Sequence, residues 1–191
     1  MSARQMVENN MTTKNITTNS NITFFNKSNL FEAIHNRVKS KDKGSTVMIP
    51  HICNNVGLFG GGFTAGISKY FPIVKENFYM LGTKTKLGHV QFVSAYKDKE
   101  YGHEIIFANM IAQNNTKSVN NPRPLNYIAL AYCLNQVRQY VSEYKRNNDL
   151  HDIELHCPKF GSGLAGGDWK FILQMIEDCW IDMKNVFIYS L

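Results

Sequence analysis

His51-Ile52-Cys53-Asn54-Asn55-Val56-Gly57-Leu58-Phe59-Gly60-Gly61-Gly62-Phe63 and Lys159-Phe160-Gly161-Ser162-Gly163-Leu164-Ala165-Gly166-Gly167-Asp168-Trp169 are the two stretches whose reading decides the fold. Each continues a short apolar run with the signature of a buried strand, Thr46 to Cys53 for the first and Ile153 to Cys157 for the second. Each precedes an amphipathic stretch of helical period. Three adjacent glycines, Gly60, Gly61 and Gly62, exceed what a tight turn needs and let backbone approach a ligand closely. Gly161, Gly163, Gly166 and Gly167 carry the same argument, although one of them serves equally well as a packing glycine. A glycine-lined strand-to-helix turn presents backbone N–H groups at a positive helix end, which suits a phosphate. Two such loops predict a ligand with two phosphates held between them, a nucleotide-like diphosphate.

Working outward, strands and helices alternate. Ile22 to Asn26 predicts a strand, and Asn29 caps a helix to about Lys39. After the first glycine loop, Thr64 to Phe71 and Ile73 to Leu81 predict two helices parted by Pro72. His89 to Ala95 and Glu104 to Ile111 form a strand pair, and Asn114 to Pro124 is a polar loop. Ile128, Ala131, Leu134, Val137 and Val141 then repeat at helical spacing. A helix follows the second loop from about Trp169 to Trp180, and Val186 to Ser190 is the last strand. The alternation predicts a three-layer α/β/α sandwich with a mixed, mostly parallel central sheet of about six strands. In such sheets ligands sit beyond the carboxyl ends of the strands, where both loops fall.

The bulk numbers narrow the function classes. A chain of 191 residues with 43% hydrophobic residues and 12% aromatics supports a single globular core. We assign residues 22–191 to that domain and 1–21, rich in Asn and Thr, to a flexible N-terminal arm. The arm lacks the apolar core of a secretory signal, and no run is long enough to span a membrane. The net charge of +6 favours an anionic ligand; it permits nucleic-acid contact without singling it out, and it sets no oligomeric state. Cys53, Cys133, Cys157 and Cys179 show neither CxxC pairing nor zinc-like spacing, so they are expected as reduced thiols in a cytoplasmic protein. No metal site and no cofactor are expected.

Four collinear segments carry a family resemblance: His51 to Phe63, Phe107 to Gln113, Arg123 to Leu130, and Pro158 to Trp169, followed by a terminal strand at Val186 to Leu191. Together they resemble the macro domain, a module that binds ADP-ribose, and they are most similar to the branch that includes ADP-ribose 1''-phosphate phosphatases. The resemblance implies an ADP-ribose or ADP-ribose 1''-phosphate ligand and removal of its terminal phosphate. Related hydrolases that release ADP-ribose from glutamate use a Lys and an Asp where this chain has Gln113 and Ala165. Where the family often has an Asp for the adenine amino group, this chain has Asn29, which still offers an acceptor.

Site residues follow from chemistry and resemblance together. Asn54 and Asn55 offer donors and acceptors to a ribose diol. His51 is either a core histidine or the proton donor to the leaving oxygen. Asp168 either caps the following helix or orients water. Gln113 positions water or a distal phosphate, or simply ends a strand. Thus His51, Asn54, Gln113 and Asp168 are the candidate catalytic residues. Asn29, Asn55, Gly60, Gly61, Gly62, Phe63, Phe160, Gly161, Ser162, Gly163, Leu164, Ala165, Gly166 and Tyr189 are the candidate ligand contacts, with Phe160 and Tyr189 stacking on adenine. Lys159 and Arg123 are candidates to neutralise a terminal phosphate. Two further readings remain: a non-catalytic ADP-ribose reader, and a hydrolase acting on ADP-ribosylated protein or nucleic acid without the lysine.

Overall fold

The structure, a computed structural model, describes residues 16–19 (backbone only), 21–39, 44–83, 85–148 and 152–190. Its strands are β1 (Ile16–Asn19), β2 (Ile22–Asn26), β3 (Thr46–Asn54), β4 (Val90–Lys97), β5 (Glu104–Gln113), β6 (Ile153–Pro158) and β7 (Val186–Ser190). Its helices are α1 (Leu30–Lys39), α2 (Phe63–Tyr70), α3 (Pro72–Met80), α4 (Tyr127–Asn147) and α5 (Trp169–Cys179). The strands form one seven-stranded sheet in the order β1-β2-β7-β6-β3-β5-β4. The four inner pairings are parallel, and the outer pairings β1–β2 and β5–β4 are antiparallel. The strand beyond the expected set is β1, which pairs Ile16 to Phe25 through Asn19 to Ile22 and takes up part of the stretch expected as an arm. Residues 1–15 lie outside the described residues.

Two cores explain the three layers. On one face α4 and α5 cover the sheet, packing Leu130, Leu134, Val137, Ile172 and Ile176 against Met48, Ile106 and Met110. On the other, α1, α2 and α3 lay Ile34, Ile67, Val74 and Phe78 on Val47, Ile49, Ile105 and Phe107. The central strands are buried on both faces, so β3 and β5 read as continuous apolar runs. The buried stripe of α4 is Ala129, Leu130, Cys133, Leu134, Val137 and Val141. Ile128 does not belong to it: at 72% exposed, it lies on the outer side of the first turn. The stripe therefore starts one residue later than the sequence spacing suggests. Pro72 opens α3 at its first turn, where its missing N–H costs nothing. Among the described residues no helix is long and apolar enough to cross a membrane.

Candidate ligand-binding site

Strand β3 follows β5 from Thr46 to Asn54, but it pairs with β6 only at Thr46 to Met48 opposite Ile153 to Leu155. Beyond that point β3 and β6 part, and the two glycine loops leave their carboxyl ends on either side of the gap. At the top of β3 a register shift pairs Cys53 with Ile111 and Asn54 with Gln113, skipping Ala112. The bulge turns Asn54 into the first loop.

The first loop is braced by its own side chains. Asn54 Oδ1 accepts from the N–H groups of Val56 (3.1 Å) and Leu58 (3.0 Å), and its Nδ2 donates to the Leu58 carbonyl (2.6 Å). Asn55 ties the loop to the end of β5, accepting from Asn115 N–H at 2.8 Å and donating to Asn114 Oδ1 at 3.1 Å. Gln113 donates to the Asn115 carbonyl at 2.9 Å. These polar side chains therefore shape the loop. Helix α2 begins at Gly62, which has φ +57° and provides no side-chain cap. Among the described residues, the N–H groups of Gly61, Gly62 and Phe63 meet no acceptor. An uncapped helix start with free donors is an anion site in waiting. By contrast Asn29, Asn126 and Asp168 cap α1, α4 and α5.

The second loop is held at its ends and open in the middle. Lys159 N–H donates to the Tyr189 carbonyl, Gly166 N–H to Gly163, Gly167 N–H to Gly161, and Asp168 N–H to the Tyr127 hydroxyl. The N–H groups from Gly161 through Ala165 have no acceptor among the described residues. Gly166 has φ +68°, and a Cβ there would lie 2.7 Å from the Pro122 carbonyl oxygen. Ser162 Oγ donates back to the Lys159 carbonyl at 3.2 Å. Leu164, 60% exposed, leans across the gap: Cβ atoms at Gly61 and Gly62 would stand 3.4 and 3.3 Å from its Cδ1. The loops thus face one another with glycine backbone on one side and open N–H groups on the other.

Several expected site residues have side chains that are buried or engaged in structural contacts. His51 is 1% exposed, ringed by Phe59, Phe63 and Phe107. Asn109 Nδ2 donates to Gln91 Oε1 at 2.9 Å, so Asn109 Oδ1 accepts from His51 Nε2–H at 2.6 Å. Gln91 Nε2 in turn donates to the Asn77 carbonyl of α3 at 2.9 Å. That chain fixes the tautomer: His51 Nδ1 is bare and faces Cys53 Sγ at 3.7 Å. Burial outweighs the hydrogen bonds and lowers the imidazole pKa to about 4. A neutral, enclosed histidine is no proton donor to a ligand at the loops. Of the two readings, the core histidine is the one the geometry carries.

Tyr189, expected against adenine, is 4% exposed; it stacks on Phe25 at 5.0 Å and its hydroxyl meets His156 Nδ1 at 2.9 Å. Phe160 is 5% exposed and packs in the α4–α5 core. Both are core residues on opposite sides of the sheet: Tyr189 belongs to the core under α1 to α3, and Phe160, in the loop after β6, to the core under α4 and α5. Ala165 is buried too, its carbonyl accepting from Leu125 N–H at 3.1 Å. Asp168 caps α5, accepting from Lys170 N–H at 2.8 Å. Asn29 caps α1 by accepting from Phe31 N–H at 3.0 Å, and Phe63 stacks on Phe31. Burial raises the thiol pKa of Cys53 and Cys157, and that of Cys133 to about 12, so none of the three is poised as a nucleophile. Sequence reasoning missed Asn109 and Gln91. Asn109 had a signal, as the one polar residue within the buried apolar run from Ile105 to Ile111.

A mixed sheet between two helical layers, with two glycine loops over the gap between adjacent parallel strands, defines an α/β/α domain with a candidate anion-binding site at the carboxyl ends of its strands. No family model matches the chain, and no curated protein does. Among solved structures it is similar to a protein of unknown function from Bacteroides thetaiotaomicron, with 28% identity, a TM-score of 0.68, and coverage of 91% of this chain and 100% of that one. A macrodomain protein from Streptomyces coelicolor is 25% identical, with a TM-score of 0.61 and coverage of 89% and 99%. Thermosipho africanus DarTG in complex with ADP-ribose shares the fold at 15% identity and a TM-score of 0.64, over 92% of this chain and 43% of that one. The fold of this chain matches that of macrodomain structures.

Proposed function

We propose that this protein binds ADP-ribose across the gap between β3 and β6 and removes the terminal phosphate of ADP-ribose 1''-phosphate. The observation that carries the binding is the pair of facing loops with unbonded N–H groups, Gly61 to Phe63 and Gly161 to Ala165. That the fold is shared with a DarTG structure solved in complex with ADP-ribose supports the choice of ligand. In this reading the diphosphate lies between the loops, with the distal ribose towards Asn54, Asn55 and Gln113. Water attacks phosphorus, and the developing charge is stabilised by positioned N–H donors. The proton for the leaving oxygen comes from solvent, His51 being enclosed. Such a site gives slow turnover. Free thiols at all four cysteines suit the cytoplasmic location we propose with it.

A non-catalytic reader is the second reading, and two observations favour it: His51 is sealed in the core and Asp168 is spent on a helix cap. Calorimetry with ADP-ribose and phosphate release from ADP-ribose 1''-phosphate without added metal separate the two. We expect binding and slow release. Binding without release leaves the reader, and absence of binding by folded protein overturns both.

A further inference from the structure

A row of polar side chains lies beneath the first loop and takes no part in the chemistry proposed above. Strand register sets it: Asn109 of β5 stands opposite His51 of β3 on one side and Gln91 of β4 on the other. Of the three, His51 and Asn109 are 1% and 0% exposed. Their hydrogen bonds run one way, from β3 towards α3. His51 Nε2–H donates to Asn109, Asn109 Nδ2 to Gln91, and Gln91 Nε2 to the Asn77 carbonyl. Apolar side chains of similar size would fill this row without burying polar groups. What the polar row adds is a single fixed arrangement.

Both ends of the row bear on the first loop. At one end the His51 ring meets Phe59 at 5.9 Å and Phe63 at 6.0 Å, the two side chains that bracket Gly60, Gly61 and Gly62. At the other end Gln91 takes the Asn77 carbonyl, which Leu81 N–H, four residues on, leaves by donating to Phe78. Gln91 thereby holds the last turn of α3. That turn carries Phe78, whose ring lies 5.1 Å from Phe59, and Tyr79, whose hydroxyl donates to the Phe59 carbonyl at 3.4 Å. Just past it the chain backs Gly57, where a Cβ would stand 3.4 Å from Thr83 Cγ2 and 3.6 Å from the Gly82 carbonyl oxygen. Three consecutive glycines have no side chains with which to hold themselves. Thr64 braces them from within, through Gly60 N–H and the Gly61 carbonyl, and the row fixes the phenylalanines on either side.

We propose that Asn109 and Gln91 are positioning residues of the ligand site: the row they complete holds Phe59, Phe63 and the end of α3, and so keeps the N–H groups of Gly61 to Phe63 aligned for the diphosphate. They act through the loop and not on the ligand. The inference rests on the ADP-ribose reading above.

Gln91→Glu tests it, with ADP-ribose affinity measured by calorimetry at about pH 8 and about pH 5.5. Ionised, the new carboxylate still accepts from Asn109 but has no proton for the Asn77 carbonyl; protonated, it donates there as the amide did. Partial burial beside a carbonyl raises its pKa towards this range. His51, at about 4, stays neutral throughout, and the unaltered protein, with the same histidines, is the reference. We expect the variant to bind about tenfold more weakly than the unaltered protein at the higher pH, as loss of one buried hydrogen bond allows, and to approach it at the lower. Amide resonances of Gly60 to Phe63 in the free variant should move and return in step, while those of Gly161 to Ala165 stay in place. That readout needs no ligand. Unchanged affinity with unmoved first-loop resonances overturns the inference and leaves the ADP-ribose reading standing. A loss that acid does not relieve overturns it equally, being damage at Gln91 and not a broken row. If the variant fails to fold at the higher pH, Gln91→Met decides: it keeps the volume, buries no charge and should bind about tenfold more weakly at both pH values. Full affinity in that variant overturns the inference. Failure of the folded, unaltered protein to bind ADP-ribose overturns the reading, and the inference with it.

Discussion

Acidification offers a direct reading of the role of His51. A histidine whose folded pKa lies below its unfolded value binds fewer protons when folded, so stability rises with pH across that window and falls on acidification. For His51 the window runs from about 4 in the folded protein to 6.5 unfolded, with burial as the main cause. Each pH unit inside the window costs about 1.4 kcal/mol, so lowering the pH from about 7 to about 4.5 removes on the order of 2 kcal/mol through this one group. Carboxylates also titrate near the lower end, Glu154 among those shifted down, so the contribution must be isolated by comparison. His51→Gln does this: its amide N–H can still donate to Asn109 Oδ1, and it does not titrate. We expect the variant to be about 1–2 kcal/mol less stable than the parent at neutral pH. Urea unfolding along a pH series should then show that deficit shrinking, and vanishing or reversing by pH 4.5. Parallel curves would mean that the imidazole titrates normally and meets solvent. That result would refute the buried relay and restore His51 as a candidate proton donor.

Asp168→Ala should lower stability by about 1 kcal/mol through loss of the α5 cap, while Asp168→Asn, which still caps, stays near the parent. If phosphate release is seen, Asn at this position should preserve it; loss of release in a stable Asn variant would mark Asp168 as catalytic. Gly166→Ala forces a Cβ to within 2.7 Å of the Pro122 carbonyl at φ +68°. It should cost about 2 kcal/mol or more and weaken ADP-ribose binding, read by denaturant midpoint and calorimetry. A variant of unchanged stability would mean that the second loop is not held as described.

The residues legible in the sequence are those whose partners lie within a few positions of them. Asn29 and Asp168 cap helices through N–H groups two residues on, a relation the chain order alone contains. The apolar runs of β3 and β6, the glycine loops after them and the proline between α2 and α3 likewise speak through local conformation, and with them the α/β/α order. Residues whose meaning depends on distant partners were not legible. His51 stands at a strand end and looks available until Asn109, 58 residues away, takes its Nε2–H and three phenylalanines enclose it. Tyr189 and Phe160 are aromatics near strand ends, and only the helices laid over the sheet make them core. Ile128 fits a helical period yet faces outward, since spacing fixes relative angles on a helix and packing fixes which angle points in. Chain order thus determined the elements and placed both loops at strand ends, because strand, turn and cap chemistry acts over a few residues. Only the tertiary structure decided which side chains near those loops meet solvent, because burial is set by surfaces that come together from far apart in the chain.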